Sequence, residues 1–410
     1  MGTKTLNQDT IEIIKSTVPV LAEHGEAITT RFYQMLFSNH PELLHIFNHA
    51  NQKKGKQPQA LANSIYAAAQ YIDNLEAILP VVKQIAHKHR SLNIKPEHYP
   101  IVGEHLLLAI KDVLGEAATD DIIHAWGEAY GVIADVFISV EKEMYDEAEQ
   151  AKGGWKEFRH FIVSKKEKES EVITSFYLTP QDGKEIASFL PGQYISIKAV
   201  IEGEEYTHIR QYSLSDHPNQ PYYRISVKRE DGSQNQPAGI VSQFLHDTVR
   251  EGDILEVTAP AGDFVLQTEP ELPIVLISGG VGQTPLLSML KTLAQKEPNR
   301  VVTYIHAAIN GSLQAFDQEV REAVEGNDNY NYYLCLESPT DEDKQANKHQ
   351  QEGYIDQEWL STVILDHDAE FYVCGPTPFM QASYQALVNL GVAKEQIHYE
   401  FFGPKGVIEN

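Results

Sequence analysis

The sequence predicts a multidomain chain in three textures: an all-α domain, an antiparallel β-barrel, and an α/β domain built on an open parallel sheet. Three observations carry this. Up to about residue 149 apolar residues recur at the three-and-four spacing of amphipathic helices. From 158 to 258 they alternate with period two, the mark of strands with one face buried. From 273 onward, short unbroken apolar runs alternate with helical segments, the pattern of strands covered on both faces by crossover helices.

The elements follow in order. Helices are expected over 10–21, capped from Asn7-Gln-Asp9; over 26–37, stopped by Asn39-His-Pro41; and over 43–47, 57–75, 79–92, 97–114 and 120–147. The segment 48–56, rich in Asn, Gln and Lys, reads as a loop, and 149–154, with Lys152-Gly-Gly154, as a polar hinge. Barrel strands are expected at 158–164, 172–178, 194–200, 210–215, 222–228 and 254–258, with one helix at 241–248. PIVLIS, VVTYIHAA, YNYYLCL and EFYVCG give the parallel strands, alternating with helices at 285–295, 314–325 and 378–390. The polar insertion 340–352 reads as a mobile surface loop. The domain limits are then 1–148, a hinge at 149–154, 155–267 and 268–410.

A formal net charge of −25 would be repelled by a phosphate backbone or an anionic bilayer. This argues against nucleic acid or an anionic membrane as partner, and no integral membrane association is expected; the charge is read as serving solubility. The two cysteines, Cys335 and Cys374, lie in no CxxC or CxxCH, which argues against covalent haem attachment and against a cysteine-based zinc or iron–sulfur site. They fit a reducing compartment. The N-terminus has no apolar h-region, and no run approaches the roughly 18 apolar residues that span a bilayer. A cytoplasmic monomer is expected.

Chemistry is densest in LPVVKQIAHKHRSLNIKP, residues 79–96. At about 100° per residue the stripe Leu79, Val82, Ile85/Ala86 continues to His89 and Leu92, while His87 points the other way. His89 is either a hydrogen-bonded core histidine or an axial haem ligand. Glu141 lies on the apolar stripe of the last helix, where an unpaired carboxylate is costly. With Tyr99, which opens the stripe Tyr99, Val102, Leu106, Ile110, it can form a hydrogen-bonded set around His89. Tyr33, Phe37 and Phe47 gather aromatics, and Gln57 and Leu61 stand one turn apart. Taken singly, Tyr33 and Tyr99 could be packing tyrosines, Gln57 a helix-start residue, and Glu141 a solvent-facing one.

The second half carries nucleotide chemistry. In SGGVGQTP, Gly279, Gly280 and Gly282 let the backbone approach a pyrophosphate, Gln283 follows, and Thr284 and Pro285 open a helix whose N-terminus favours an anion. In Cys374-Gly375-Pro376 a small thiol and a kinked backbone could border a nicotinamide. Tyr194 ends PGQY. In RQYS, Arg210 can neutralise a phosphate, Gln211 and Tyr212 follow, Tyr212 can stack on a flat ring, and Ser213 can bond to its polar edge. In GIVS, Gly239, Val241 and Ser242 open a helix with free N–H groups. The chain closes with Glu400, Phe401, Phe402, Gly403 and Pro404. The order RQYS, GIVS, GGVGQTP, CGP, EFFGP resembles the ferredoxin–NADP reductase superfamily, which implies FAD on the barrel and a nicotinamide dinucleotide on the parallel sheet.

With Pro41-Glu-Leu near Phe47-Asn, Lys88-His89, KPEHY, IVGEHLL and AWGEAYGVIADVF, residues 6–408 resemble the flavohaemoglobins, a globin fused to such a reductase. The resemblance implies haem b (Fe) on His89, with Tyr99 and Glu141 as its proximal partners and Lys88 beside it. It implies that Tyr33, Gln57 and Leu61 shape the oxygen pocket, that Phe47 wedges the haem, and that Glu400 lies at the flavin side. The Asp231–Ala238 loop is longer than the short glycine turn usual in the family. The implied function is that of a nitric oxide dioxygenase: hydride passes from NADH or NADPH to FAD, single electrons pass to haem, and haem-bound O₂ oxidises NO to nitrate. A non-enzymatic oxygen-binding or gas-sensing globin, or a general NAD(P)H-dependent flavin, quinone or ferric reductase, is the alternative. The absence of a basic residue in Ile309-Asn-Gly-Ser312 leans toward NADH, since a 2′-phosphate usually calls for a nearby Arg.

Overall fold

The structure is a computed structural model and describes residues 6–47, 55–233, 237–269, 271–403 and 408. It divides into two compact units, Met1–Ala151 with Lys198–Arg210, and Lys152–Ile197 with Gln211–Asn410.

The first unit is helical. α1 (Gln8–Ser16) starts where the Asn7 side chain accepts the Thr10 N–H at 2.8 Å. It ends before the expected 21, and α2 (Val18–Asn39) begins before the expected 26. The Thr17 hydroxyl turns back onto the Ile14 carbonyl at 2.6 Å. Pro19, which has no N–H to continue α1, fits the first turn of α2. After a 3₁₀ turn (Pro41–His45) come α3 (Lys56–Gln70), α4 (Leu79–Ser91), α5 (His98–Leu114) and α6 (Asp120–Gln150). α6 runs into the segment expected as hinge. The loop expected at 48–56 lies largely outside the described residues. Ile28, Phe32, Leu36, Ile110 and Trp126 form the buried centre.

Both sheets lie in the second unit, except that Lys198–Arg210 of the first sheet is grouped with the first unit. β1 (Phe158–Lys168), β2 (Ile173–Pro180), β3 (Tyr194–Ala199), β4 (His208–Ser213), β5 (Tyr223–Lys228) and β6 (Ile254–Thr258) are hydrogen-bonded in the order β4-β3-β6-β1-β2-β5. The end of β4 closes onto β5, because the Ser215 N–H donates to the Arg224 carbonyl at 2.9 Å beside a Leu214–Ile225 bridge. The edges thus satisfy each other. α7 (Ile240–Asp247) covers one end. The second sheet pairs β7 (Ile274–Gly279), β8 (Val302–Ala308), β9 (Tyr330–Leu336), β10 (Gln351–Glu352), β11 (Glu370–Cys374) and β12 (Ile397–Glu400), all parallel, in the order β10-β9-β8-β7-β11-β12. α8 (Gln283–Lys296), α9 (Asp317–Val324), α10 (Asp341–Ala346), α11 (Gln357–Val363) and α12 (Thr377–Asn389) complete it. The insertion expected as a bare loop is ordered. Thr340 and Asp343 form a capping box for α10, Asp343 also accepts the Gly311 N–H at 3.1 Å, and Gln351–Glu352 adds to β9.

His306 on β8 is buried inside this sheet, its Nδ1 2.8 Å from the Ser278 hydroxyl, and burial pushes its pKa down to about 4 from 6.5. As pH falls below 6.5 the unfolded chain takes up the proton first, so stability is full above that pH and drains toward pH 4. Urea unfolding should show this domain about 2 kcal/mol less stable at pH 5 than at pH 7. His306→Asn should flatten that dependence. An equally steep curve in the variant would assign it to other groups.

Candidate functional site

In the first unit the sequence-predicted residues meet around His89, in the last turn of α4. The buried face of α4 runs through Val82, Ala86 and Arg90, not through the expected stripe to Leu92, so His89 stands at its edge with 32% of its side chain exposed. His87 is also half-buried. Burial therefore does not separate the two histidines, and the reading that only His89 is on the buried stripe is corrected. Their partners separate them. α4 also stops earlier than Pro96 requires: Asn93 adopts φ +59°, and the Ile94 N–H caps the His89 carbonyl at 3.0 Å.

Nδ1 of His89 lies 2.6 Å from Oε1 of Glu141 and 3.3 Å from the Tyr99 hydroxyl, which itself donates to the same carboxylate oxygen at 2.5 Å. Glu141 is 3% exposed. Burial, and then the neighbouring Glu141, push the Tyr99 phenol far above its usual range, so it stays a donor. A carboxylate oxygen facing Nδ1 requires the proton on Nδ1, which leaves the lone pair on Nε2. Nε2 has no hydrogen-bond partner among the described residues. The ring is flanked by Phe137, centroids 5.9 Å apart. An imidazole so oriented, with Nε2 unpartnered among the described residues and an aromatic wall beside it, fits an axial haem ligand.

Sequence reasoning missed two supports. Tyr130 packs against Gly103, where a Cβ would meet its ring at 2.4 Å, and donates to the Tyr99 carbonyl at 2.6 Å. Tyr145 ties α6 to the Ile94 carbonyl at 2.8 Å. The i, i+4 spacing of Tyr130 and Ala134 on the Glu141 stripe was the available signal for the first.

Tyr33 is buried on α2, its ring 4.8 Å from Phe32, 5.7 Å from Phe37 and 5.8 Å from Phe47. Gln57 and Leu61 are half-buried on α3. The Thr29 hydroxyl, one turn before Tyr33, donates to the Pro58 carbonyl at 2.8 Å, so the Gln57 end of α3 is fixed beside the Tyr33 face of α2. Lys88 is half-buried next to His89.

In the second unit the strand order reverses between β7 and β11: the chain steps outward from β7 to β10, then returns to β11 and β12 on the other side. Ligands of open α/β sheets bind beyond the carboxyl ends at such a point. There the predicted motifs converge. Cys374 is in register with Ser278 on one side and Glu400 on the other. The glycines have different reasons. A Cβ at Gly282 would meet the Cys374 carbonyl at 2.3 Å, and one at Gly279 the Phe379 ring at 3.0 Å. Only Gly280, at φ +53°, faces open space. The expectation that all three admit a pyrophosphate is therefore narrowed to Gly280; Gly279 and Gly282 are small because protein packs on them. Gln283, Thr284 and Pro285 are buried; the Thr284 hydroxyl donates to the Val281 carbonyl at 3.0 Å within the turn, while the Gln283 side-chain amide has no hydrogen-bond partner among the described residues.

Two further expectations are corrected. The Cys374 thiol is buried and donates to the Glu400 carbonyl at 3.5 Å, with its pKa pushed well up by burial and then by Glu400. It braces two strands, and the half-exposed Gly375 and exposed Pro376 form the surface instead. Phe401 packs into the sheet's own core, while Phe402 is 52% exposed beside Gly403. Pro404 lies outside the described residues.

On the barrel, PGQY and RQYS are adjacent: the Leu214 N–H donates to the Gln193 carbonyl at 2.9 Å. Tyr194 lies over Gly262, where a Cβ would touch its ring at 2.9 Å. Arg210, Gln211 and Tyr212 are half-buried, and Ser213 is buried. Arg210 donates to the Ile209 carbonyl at 2.7 Å. Before α7, Ser242 donates to the Gly239 carbonyl at 2.9 Å and accepts the Glu230 N–H at 3.2 Å, and Val241 is buried. The Ser242 hydroxyl and the Val241 side chain thus shape the loop, which leaves backbone N–H groups as its offering. Of the Asp231–Ala238 loop, residues 234–236 lie outside the described set.

Residues 30–137 match the globin family model, 160–266 the oxidoreductase FAD-binding domain and 276–385 the oxidoreductase NAD-binding domain. Fold and site together define an oxidoreductase that joins a globin to a flavin- and dinucleotide-binding reductase. A flavohemoprotein of Halalkalibacterium halodurans is 60% identical over 408 residues, covering 100% of this chain and 99% of its own. A flavohemoglobin of Malassezia yamatoensis, solved with bound FAD and heme, is 29% identical and matches with TM-score 0.84 over 97% of this chain and 100% of its own. The FAD/NAD-binding domain of a nitric oxide dioxygenase from Vibrio cholerae is 41% identical, with TM-score 0.55, and covers 61% of this chain and 100% of its own. The chain belongs to the flavohemoprotein family.

Proposed function

We propose that the protein is an NAD(P)H-dependent nitric oxide dioxygenase that removes NO. Two NO, two O₂ and one NAD(P)H give two nitrate, NAD(P)⁺ and one proton. The observation that carries this reading is the Glu141–His89 hydrogen bond with Tyr99 at its side. His89 would hold haem b through Nε2. Glu141 keeps the proton on Nδ1 and makes Nε2 a stronger electron donor, a feature that catalysis uses and oxygen storage does not need. Tyr33 would present its hydroxyl to the oxygen ligand, with Gln57, Leu61 and Phe47 bounding the pocket. Tyr212, Ser213, Arg210 and Tyr194 would hold FAD together with the Gly239 loop. Gly280 and the Cys374–Pro376 turn would take the dinucleotide, with Glu400 and Phe402 beside the flavin. Bound there, haem supplies the iron at which O₂ and NO meet, and FAD supplies the conversion of a hydride into single electrons. The charge and the two buried thiols support a cytoplasmic setting.

The direct test is aerobic NO consumption by the purified, NADH-fed protein with nitrate as product. Flavin reduction without NO loss would favour the general reductase. A chain starting at Lys152 should remain a flavoprotein that passes electrons from NADH to an artificial acceptor yet consumes no NO. Failure of that piece to hold FAD would show that the reductase needs the globin. The isolated Vibrio cholerae domain, of similar extent, supports the expectation that it folds.

A further inference from the structure

The second unit contains a chain of charges, buried at Arg224 and Asp216 and half-buried at Glu319 and Lys291, that none of the chemistry above uses. Arg224 on β5, 2% exposed, donates through both Nη atoms to the two carboxylate oxygens of Glu319 on α9, at 2.6 and 3.1 Å. Its Nε reaches the Ser215 hydroxyl at 3.1 Å and its Nη2 the Ser215 carbonyl at 2.6 Å. Lys291 on α8 bridges Glu319 at 2.8 Å and Asp216 at 2.5 Å. Asp216 also accepts the Tyr222 hydroxyl at 2.9 Å and its own neighbour's N–H, that of His217, at 2.8 Å. The buried Ser288 hydroxyl on α8 donates to the Asp216 carbonyl at 2.7 Å. Burial by itself would raise the Asp216 and Glu319 carboxyls; Arg224 and Lys291 outweigh it and hold both below their ordinary values.

The position of this chain is what gives it meaning. Asp216 follows Ser213 of RQYS directly after β4, and Ser288 lies one helical turn beyond Thr284 of GGVGQTP. The chain therefore ties the segment just after RQYS, the motif expected to hold the flavin ring, to the helix that begins at the nucleotide turn. The PGQY turn abuts the same helix: a Cβ at Gly192, φ +106°, would lie 2.0 Å from the Phe264 carbonyl and 2.7 Å from Met289 on α8. Adhesion alone would not call for charges here. Burying ions costs several kcal/mol each, and apolar side chains of similar volume often hold two surfaces as well or better. Directional, bidentate bonds fix angle and register, which apolar contacts do not.

We propose that Arg224, Glu319, Lys291 and Asp216 are positioning residues that set the distance and angle between nicotinamide and flavin, and so the rate of hydride transfer. In that step the C4–H bond of the dihydronicotinamide breaks, its electron pair and hydrogen pass to N5 of FAD, and NAD⁺ leaves. The inference rests on the reading that FAD and the dinucleotide occupy these two loops.

The test uses full-length holoprotein and three variants: Lys291→Met, Glu319→Gln, and the double variant Arg224→Met/Glu319→Met, which removes the ion pair as a whole so that the buried Arg224 charge is not left without its partner and folding is preserved. Stopped-flow flavin reduction at saturating NADH, per bound FAD, should slow about 10- to 100-fold, the cost of sub-ångström to ångström misplacement. The NADH half-saturation should stay within about threefold, because the groups that touch the nucleotide are intact. Amide exchange, read without turnover, should quicken together in α8 and in β5. Unchanged rates per flavin in Lys291→Met and in the double variant would overturn the proposal. So would wild-type rates in the double variant alone, since packing would then suffice. A wild-type protein whose FAD is not reduced by NADH would defeat the reading of the loops, while linked exchange in α8 and β5 would still report the brace.

Discussion

His89→Ala is expected to abolish haem retention, and His87→Ala to leave it nearly intact. The two histidines sit two residues apart on α4, and both are half-buried. What separates them is the carboxylate of Glu141, 2.6 Å from Nδ1 of His89. That bond fixes the ring's tautomer and orientation and leaves Nε2 as the ligand atom. Alanine at 89 removes the proposed iron ligand, and it also leaves Glu141, 3% exposed, with Tyr99 as its remaining donor among the described residues. Leaving such a group half-satisfied costs about 1–3 kcal/mol, so the globin unit should lose stability as well. Haem content by Soret absorbance, with thermal unfolding of the apoprotein, reads both effects. A Soret band kept by His89→Ala and lost by His87→Ala would reverse the assignment.

Tyr33→Phe is expected to speed O₂ dissociation from the haem-loaded protein by about 10- to 150-fold. A hydrogen bond to a partly charged oxygen is worth roughly 1.5–3 kcal/mol. The substitution keeps the ring and its contacts with Phe32, Phe37 and Phe47, and deletes only the hydroxyl. NO consumption at limiting oxygen should fall with it. Flavin reduction by NADH should not change, because its residues lie on the barrel and the parallel sheet. An unchanged off-rate would leave Tyr33 as a packing residue.

The local rules of the chain carried far in both halves. Period fixes which segments coil and which extend, because backbone hydrogen bonds and side-chain burial must repeat with the same spacing. That is why the sequence places the six barrel strands and four of the six parallel strands, β7, β8, β9 and β11, within a few residues, while the short β10 and β12 are not legible in it. Boundaries set by single side chains were less legible: Thr17 and Pro19 split one expected stretch differently, and a capping box ordered α10 inside a stretch whose composition reads as loop.

The motifs SGGVGQTP, CGP and RQYS name a nucleotide-binding chain from sequence alone, since glycine, proline and aromatic placement is a local property. Which atom each motif presents is not local. Cys374 turns its thiol inward because strands of a parallel sheet are buried on both faces, so alternation does not tell in from out. Gly282 is small because another strand's carbonyl sits against it, and that carbonyl is supplied by a residue far along the chain. The same limit applies to His89 and Arg224. Helical phase brought His89 to the edge of a buried face, but its role is set by Glu141, which is 52 residues away. Arg224 reads in sequence as an ordinary strand cation, and its partner Glu319 is 95 residues on. Sequence by itself determined most of the longer elements, their order and the cofactor motifs, because these follow from short-range periodicity and backbone conformation; the short α10, α11, β10 and β12 form only against the packed sheet. Tertiary structure alone decided which polar groups meet, because a buried charge or proton acquires its partner only when distant segments pack.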